Sequence, residues 1–141
     1  MMIETDMLYA FVKRSDWLKP VAEELMLSIR GNRFGAVYAS REALHELYYI
    51  SLEEGVPLDE VISRVAALTM IDNLVFLDTT AEIDLLALTI MKQYGITSVF
   101  DAYHAATVLN QVPDHTIIST DQVFDKIPGL NRVDPHTLVG T

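Results

Sequence analysis

The run Phe34-Gly35-Ala36-Val37-Tyr38-Ala39 constrains this chain most, because it is apolar almost without interruption. A strand with one wet face alternates apolar and polar residues, whereas a continuous run marks a strand covered on both faces, as in a parallel sheet. Leu74 to Leu77 and Thr116 to Thr120 are the third and fourth short strands, and Ile3 opens the chain as a short strand that passes into helix through Thr5-Asp6 to Val12. The segments between have helical spacing. Asp16 to Arg30 carries Trp17, Val21, Leu25 and Ile29 (or Met26) as its buried stripe, with Pro20 in the first turn and Gly31-Asn32 at the end. Ser40 caps a helix through Leu52 with Ala43, Leu44, Leu47, Tyr48 and Ile50 inward. Pro57 opens another with Val61, Val65, Leu68 and Ile71, and Thr79-x-x-Glu82 caps a helix running to Gly95. Ser98-x-x-Asp101 is a capping box for a helix whose stripe is Ala102, Ala105, Ala106, Leu109 and Val112. Asn131 to Asp134 fits a fifth, edge strand. Short strands separated by helices mean βαβ units, so residues 1–141 are expected to form a single α/β domain, its parallel sheet covered by helices on both faces.

The chain is long enough to bury about two thirds of its unfolded surface, and half of its residues are hydrophobic. It has no cysteine, which excludes disulfides and thiolate metal sites. Glu4 and Asp6 stand where a signal peptide would carry basic charge, and no apolar run approaches a membrane span. The expectation is a cytoplasmic protein with no membrane partner. The net charge of −10 argues against a broad electrostatic grip on nucleic acid. It suits a basic partner, or carboxylates neutralised by divalent cations.

Sheets of this kind place their sites at the C-terminal ends of the strands. Asp6 follows the first strand, Glu46 lies in the helix after the second, and Asp121 follows the fourth. Asp101 sits at the edge of its helix's apolar stripe, tilted towards the rim of the core. Each alone has a plain structural reading: a solvated strand end, a rim glutamate with Glu42 as its rival, a turn starter, a helix cap. Four carboxylates brought together would repel one another unless cations sat among them. Mg²⁺ or Mn²⁺ are the natural candidates, being hard ions that take oxygen ligands. Two such ions about 3.5–4 Å apart activate water and stabilise the leaving oxygen of a phosphodiester.

Four blocks occur in order: Ile3-Glu4-Thr5-Asp6-Met7-Leu8; Ala39-Ser40 followed by Glu46-Leu47; Phe100-Asp101-Ala102-Tyr103-His104-Ala105-Ala106; and Ile118-Ser119-Thr120-Asp121-x-x-Phe124, then Ile127-Pro128-Gly129-Leu130. On these the chain resembles the PIN domain family, and within it the VapC-type ribonuclease toxins of toxin–antitoxin pairs. The resemblance implies a three-layer α/β/α sandwich around a parallel sheet of about five strands. It implies a metal-dependent endoribonuclease with Asp6, Glu46, Asp101 and Asp121 as the catalytic, metal-binding quartet. Ser40 and Thr120 would be polar neighbours, and a homodimer and a small antitoxin are the implied partners beside the RNA substrate. Met7 stands where the family often has a polar residue.

Asp125 is an auxiliary candidate, with a solvated face the plainer reading. Lys13, Arg14 and Arg41 are the cations nearest the quartet in sequence and the candidates for phosphate contact. His104 reads as a hydrogen-bonded, partly buried residue rather than a ligand, and His45, His115 and His136 have no ligand spacing. Trp17 and the Tyr48-Tyr49 pair read as core or interface. The helices from Ser40 to Met70 are apolar enough to hold a dimer surface. The alternative to a nuclease is a PIN-like module binding RNA or peptide without turnover. A phospho-acceptor receiver, with Asp78 as acceptor, lacks its late lysine, because Lys126 falls in the turn beyond Asp121. A haloacid-dehalogenase-type phosphatase is not supported by Glu4-x-Asp6.

Overall fold

The computed structural model describes residues 1–140. In chain order it has β1 (Met2–Ile3), α1 (Thr5–Val12), α2 (Lys19–Arg30), β2 (Val37–Ser40), α3 (Arg41–Glu53), α4 (Leu58–Thr69), β3 (Leu74–Leu77), α5 (Ala81–Tyr94), α6 (Val99–Gln111), β4 (Thr116–Ile118) and β5 (Asn131–Val133), with short 3-10 turns at Gln122–Lys126 and Pro135–Thr137. The strands form one sheet in the order β3-β2-β1-β4-β5. Every pairing is parallel, with Met2 opposite Tyr38 and Ile117, and Ile118 opposite Val133.

Strand periodicity assigns the two faces. Met2 and Ile117 point into a core with Ile83, Ala87, Ala102, Ala105 and Phe124, supplied by α5, α6 and the turn after β4. Ile3 and Ile118, one residue on, point into a core with Leu8, Leu25, Ile29, Leu47 and Leu68, supplied by α1 to α4. This is the three-layer sandwich, and the two-residue period of a strand divides its cores. The chain moves outward from β1 through β2 to β3 and then returns to β4 on the other side of β1. The strand order therefore reverses between β1 and β4, and the crevice at their C-terminal ends is where such sheets bind ligands.

Local signals set most boundaries. Ser98 caps α6, its hydroxyl accepting from the Asp101 N–H at 3.4 Å. Gly95 ends α5 at φ 66°, a left-handed conformation that glycine adopts without steric cost. Three expectations shift. Thr80, not Thr79, caps α5 through the Ile83 N–H. β2 starts at Val37, because the chain turns through Gly35 at φ 69° before it pairs. α2 starts at Lys19, because the Asp16 carboxylate instead accepts from the Leu18 N–H and holds residues 13–18 as a loop. Trp17 thus lies outside the helix and is 74% exposed, not part of a buried stripe. Tyr48 and Tyr49 are also exposed. Among the described residues, no helix is long and apolar enough to cross a membrane.

Candidate active site

β1 is only two residues long, so α1 begins at the sheet edge itself. Glu4 caps α1, one carboxylate oxygen accepting from the Asp6 N–H (3.1 Å) and from the Ser119 hydroxyl (3.3 Å). Asp6 follows in the first helical turn. Its Oδ2 accepts from the Thr120 N–H at 2.9 Å and from the Thr120 hydroxyl at 2.7 Å, so the ends of β1 and β4 are bonded through this carboxylate. Its Oδ1 accepts from the Met7 N–H at 2.7 Å. Asp121 caps the turn beyond β4 through the Val123 N–H, while its own N–H donates to the Ser119 hydroxyl. Asp101 enters from the first turn of α6 and Glu46 from the second turn of α3, a helix that packs against both α1 and α6.

These side chains line one open cleft of about 540 Å³, with Glu4, Thr5, Tyr9, Asp16, Trp17, Leu18, Ile50, Ser98 and Thr120 completing its wall. Six of the lining residues are acidic, namely Glu4, Asp6, Asp16, Glu46, Asp101 and Asp121, and none is Lys or Arg. Charge is therefore concentrated at the switch point of the sheet.

Beneath the cleft lies a buried polar network. His104 is fully buried on α6, and its Nε2 lies 2.8 Å from Glu46 Oε1 and 3.1 Å from the Thr5 hydroxyl. Its Nδ1 has no hydrogen-bond partner among the described residues. Burial pushes Glu46 up, but the hydrogen bond from His104, its charge and the Thr5 hydroxyl outweigh that and hold the carboxyl below its ordinary range. Glu4 is raised well above its ordinary range, by burial first and then by Asp6 and Glu46. Asp101 is raised to about 6, by burial first and then by the charges of Asp121 and Glu46. A cleft that penalises a carboxylate in this way favours either a proton or a cation.

The donor set suits a hard divalent ion, being carboxylate oxygens with no competing cation. Its spacing is wider than the sequence suggested. Among the described residues, the three donors that come within 4.8 Å of one another are those of Glu4, Glu46 and His104, and no three of the quartet do.

Of the other expected residues, Thr120 lines the cleft and holds Asp6. Ser40 is fully buried and caps α3 through the Glu42 N–H, away from the cleft wall. Asp125 is held by two hydrogen bonds from Arg132 and does not line the cleft. Lys13 pairs with Glu54, Arg14 with Glu60 and Arg41 with Asp78, and none of the three lines the cleft. Glu42 pairs with His45 instead of turning inward. Met7 is fully buried in the core, so its apolar character takes nothing from the cleft. Sequence reasoning missed Glu4, Thr5 and Ser119. The available signal was position, since each lies within two residues of a strand end at the switch point.

The PIN domain family profile matches residues 1–130. No curated protein matches the sequence. The fold is similar to that of Mycobacterium tuberculosis VapC20, described as a sarcin–ricin loop cleaving toxin, at 15% identity and a TM-score of 0.70 over 86% of this chain and 89% of that one. It is also similar to VapBC2 of Rickettsia felis, solved with a fragment of its promoter DNA (16% identity, TM-score 0.67, 94% and 96% of the chains). A toxin–antitoxin complex from Klebsiella pneumoniae aligns at 18% identity and a TM-score of 0.62 over 95% and 96%. A profile match over nearly the whole length, on a sheet of the expected strand number and direction, leads to one conclusion: the chain belongs to the PIN domain family.

Proposed function

We propose that this chain is a Mg²⁺- or Mn²⁺-dependent endoribonuclease, the toxin of a toxin–antitoxin pair acting in the cytoplasm. The observation that carries the reading is the cleft itself: six acidic residues and no Lys or Arg at the switch point of a parallel sheet. The toxin descriptions of the structural relatives agree with it. Asp6, Glu46, Asp101 and Asp121 would hold the ions. Bound there, such ions supply an activated water and charge stabilisation for the leaving oxygen. The chain's own residues set the geometry. Thr120 fixes Asp6, His104 and Thr5 keep Glu46 ionised, and Asp101 and Asp121 face each other closely enough to raise Asp101.

The test is cleavage of single-stranded RNA in Mn²⁺, with and without EDTA, by wild type and Asp101→Asn. Metal-dependent cleavage by wild type alone supports the reading, and equal cleavage by both removes it. The wide spacing of the quartet favours one competitor, a PIN module that binds peptide or RNA without turnover. Calorimetry separates the two, because a nuclease binds Mn²⁺ at the cleft and the binding module takes its peptide tightly with metal weak or absent. The proposed homodimer would use the exposed Tyr48, Leu52 and Leu58 of α3 and α4, which with the partly buried Val56 and the buried Val61 line an apolar hollow of about 220 Å³. A monomer by sedimentation would exclude it.

A further inference from the structure

The loop between α1 and α2 borders two clefts. Asp16, Trp17 and Leu18 line the acidic one. Lys13, Arg14 and Ser15 line a second of about 470 Å³, together with Glu54, Glu60 and Arg64. Trp17 is the only tryptophan of the chain, yet 74% of it is exposed. An apolar ring this large is left in water at the mouth of a carboxylate cleft, although the neighbouring Leu18 is buried in the core.

The ring is mounted on a tied loop. Asp16 accepts from the Leu18 N–H, and the Lys19 ammonium donates to the carbonyls of Phe11 and Lys13 at 2.8 and 2.6 Å. His136 lies near-parallel to Trp17, ring centroids 6.3 Å apart at 25°, and is itself held by Asp134. A preorganised aromatic face loses little entropy when something stacks on it. The second cleft presents three cations against two carboxylates: Lys13 pairs with Glu54 at 3.1 Å, whereas Arg14 to Glu60 at 3.7 Å and Arg64 to Glu60 at 4.0 Å are loose. Arg64 is almost fully buried, and its Nε has no partner among the described residues. A chain of net charge −10 cannot hold a polyanion by general attraction. Stacking is independent of that charge and accepts any base, but it requires the base to be unpaired.

We propose that Trp17 is the base-stacking residue of this site. It would select single-stranded RNA by taking an unpaired base beside the acidic cleft while the adjoining backbone phosphates run into the Lys13–Arg14–Arg64 cleft. This rests on the nuclease reading above for its substrate class.

Since Trp17 is the sole tryptophan, its fluorescence reports the contact without any turnover. The full chain carrying Asp101→Asn, in Mg²⁺, is titrated with a short single-stranded RNA of mixed sequence and with the duplex of the same sequence. Single strand is expected to quench the emission and duplex to leave it unchanged. In parallel, anisotropy of labelled RNA is expected to weaken about 5- to 150-fold for Trp17→Ala and to be largely restored for Trp17→Phe. In the otherwise wild-type chain, Trp17→Ala is expected to raise KM and leave kcat within about twofold. Because the ring is exposed, removing it takes nothing from the core.

RNA that binds without changing the emission overturns the assignment, as does equal quenching by duplex or a response only to a protein partner. If wild type cleaves RNA and Trp17 stays silent, this inference fails and hydrolysis stands. If single strand quenches Trp17 and wild type cleaves nothing, hydrolysis fails and the stacking site stands.

Discussion

Replacing Asp101 by Asn is expected to stabilise the metal-free protein while removing its activity. The carboxyl is raised from its ordinary 3.8 to about 6, by burial and by the charges of Asp121 and Glu46. An acid whose folded value lies above its unfolded one leaves stability intact below about pH 4. Stability is then lost as pH climbs through about 6, because the folded state holds the proton more tightly. At about 1.4 kcal/mol per tenfold in proton affinity, the full gap corresponds to about 3 kcal/mol at neutral pH. Asp101 is only partly buried, and solvent screening reduces that to about 1–2 kcal/mol. Asn also forgoes a favourable charge at a helix N-terminus, worth about 0.5 kcal/mol. A net gain of about 1 kcal/mol remains, or a few degrees in Tm for a domain of this size. The assay is thermal unfolding in EDTA at pH 4.5, 6 and 7.5, wild type against Asp101→Asn. The gain should be smallest at the lowest pH, near its maximum at the highest, and reversed by millimolar Mn²⁺, which stabilises wild type by mass action. A variant no more stable than wild type at pH 7.5 in EDTA, or a gain equal at all three pH values, would refute the electrostatic reasoning.

His104→Leu removes the hydrogen bond and charge that keep Glu46 ionised, so the acid limb of the pH–rate profile is expected to move to higher pH; an unmoved limb would mean that Glu46 ionisation does not control the rate. Phe124→Ala empties a fully buried position in the core beneath α5 and α6 and should cost about 3–5 kcal/mol in urea unfolding. Ser40→Ala removes the cap of α3 and should cost about 1 kcal/mol with cleavage unchanged, since its hydroxyl serves the Glu42 N–H and not the cleft. Asp125→Ala is expected to leave Mn²⁺ affinity by calorimetry within about twofold, because both its oxygens are engaged by Arg132.

By itself the sequence determined the class of the fold. Continuous apolar strands and three-to-four-residue stripes depend on burial of local segments, and a parallel sheet between two helical layers is the arrangement that satisfies both. Ser98 and Ser40 as caps were legible for the same reason, since a cap bonds N–H groups two or three residues away. Tertiary structure decided the rest of the site. Asp6 meets Thr120, 114 positions away, and His104 meets Glu46 across 58, because the strand order reverses between β1 and β4. The reversal also decides that Glu4, not singled out as a site residue from the sequence, faces Ser119. Trp17 had a helical stripe's spacing, and only the folded loop, turned outward by the Asp16–Leu18 hydrogen bond, puts it in solvent. Periodicity records which residues bury together locally, whereas a cleft is made by strand ends that the chain brings together from far apart.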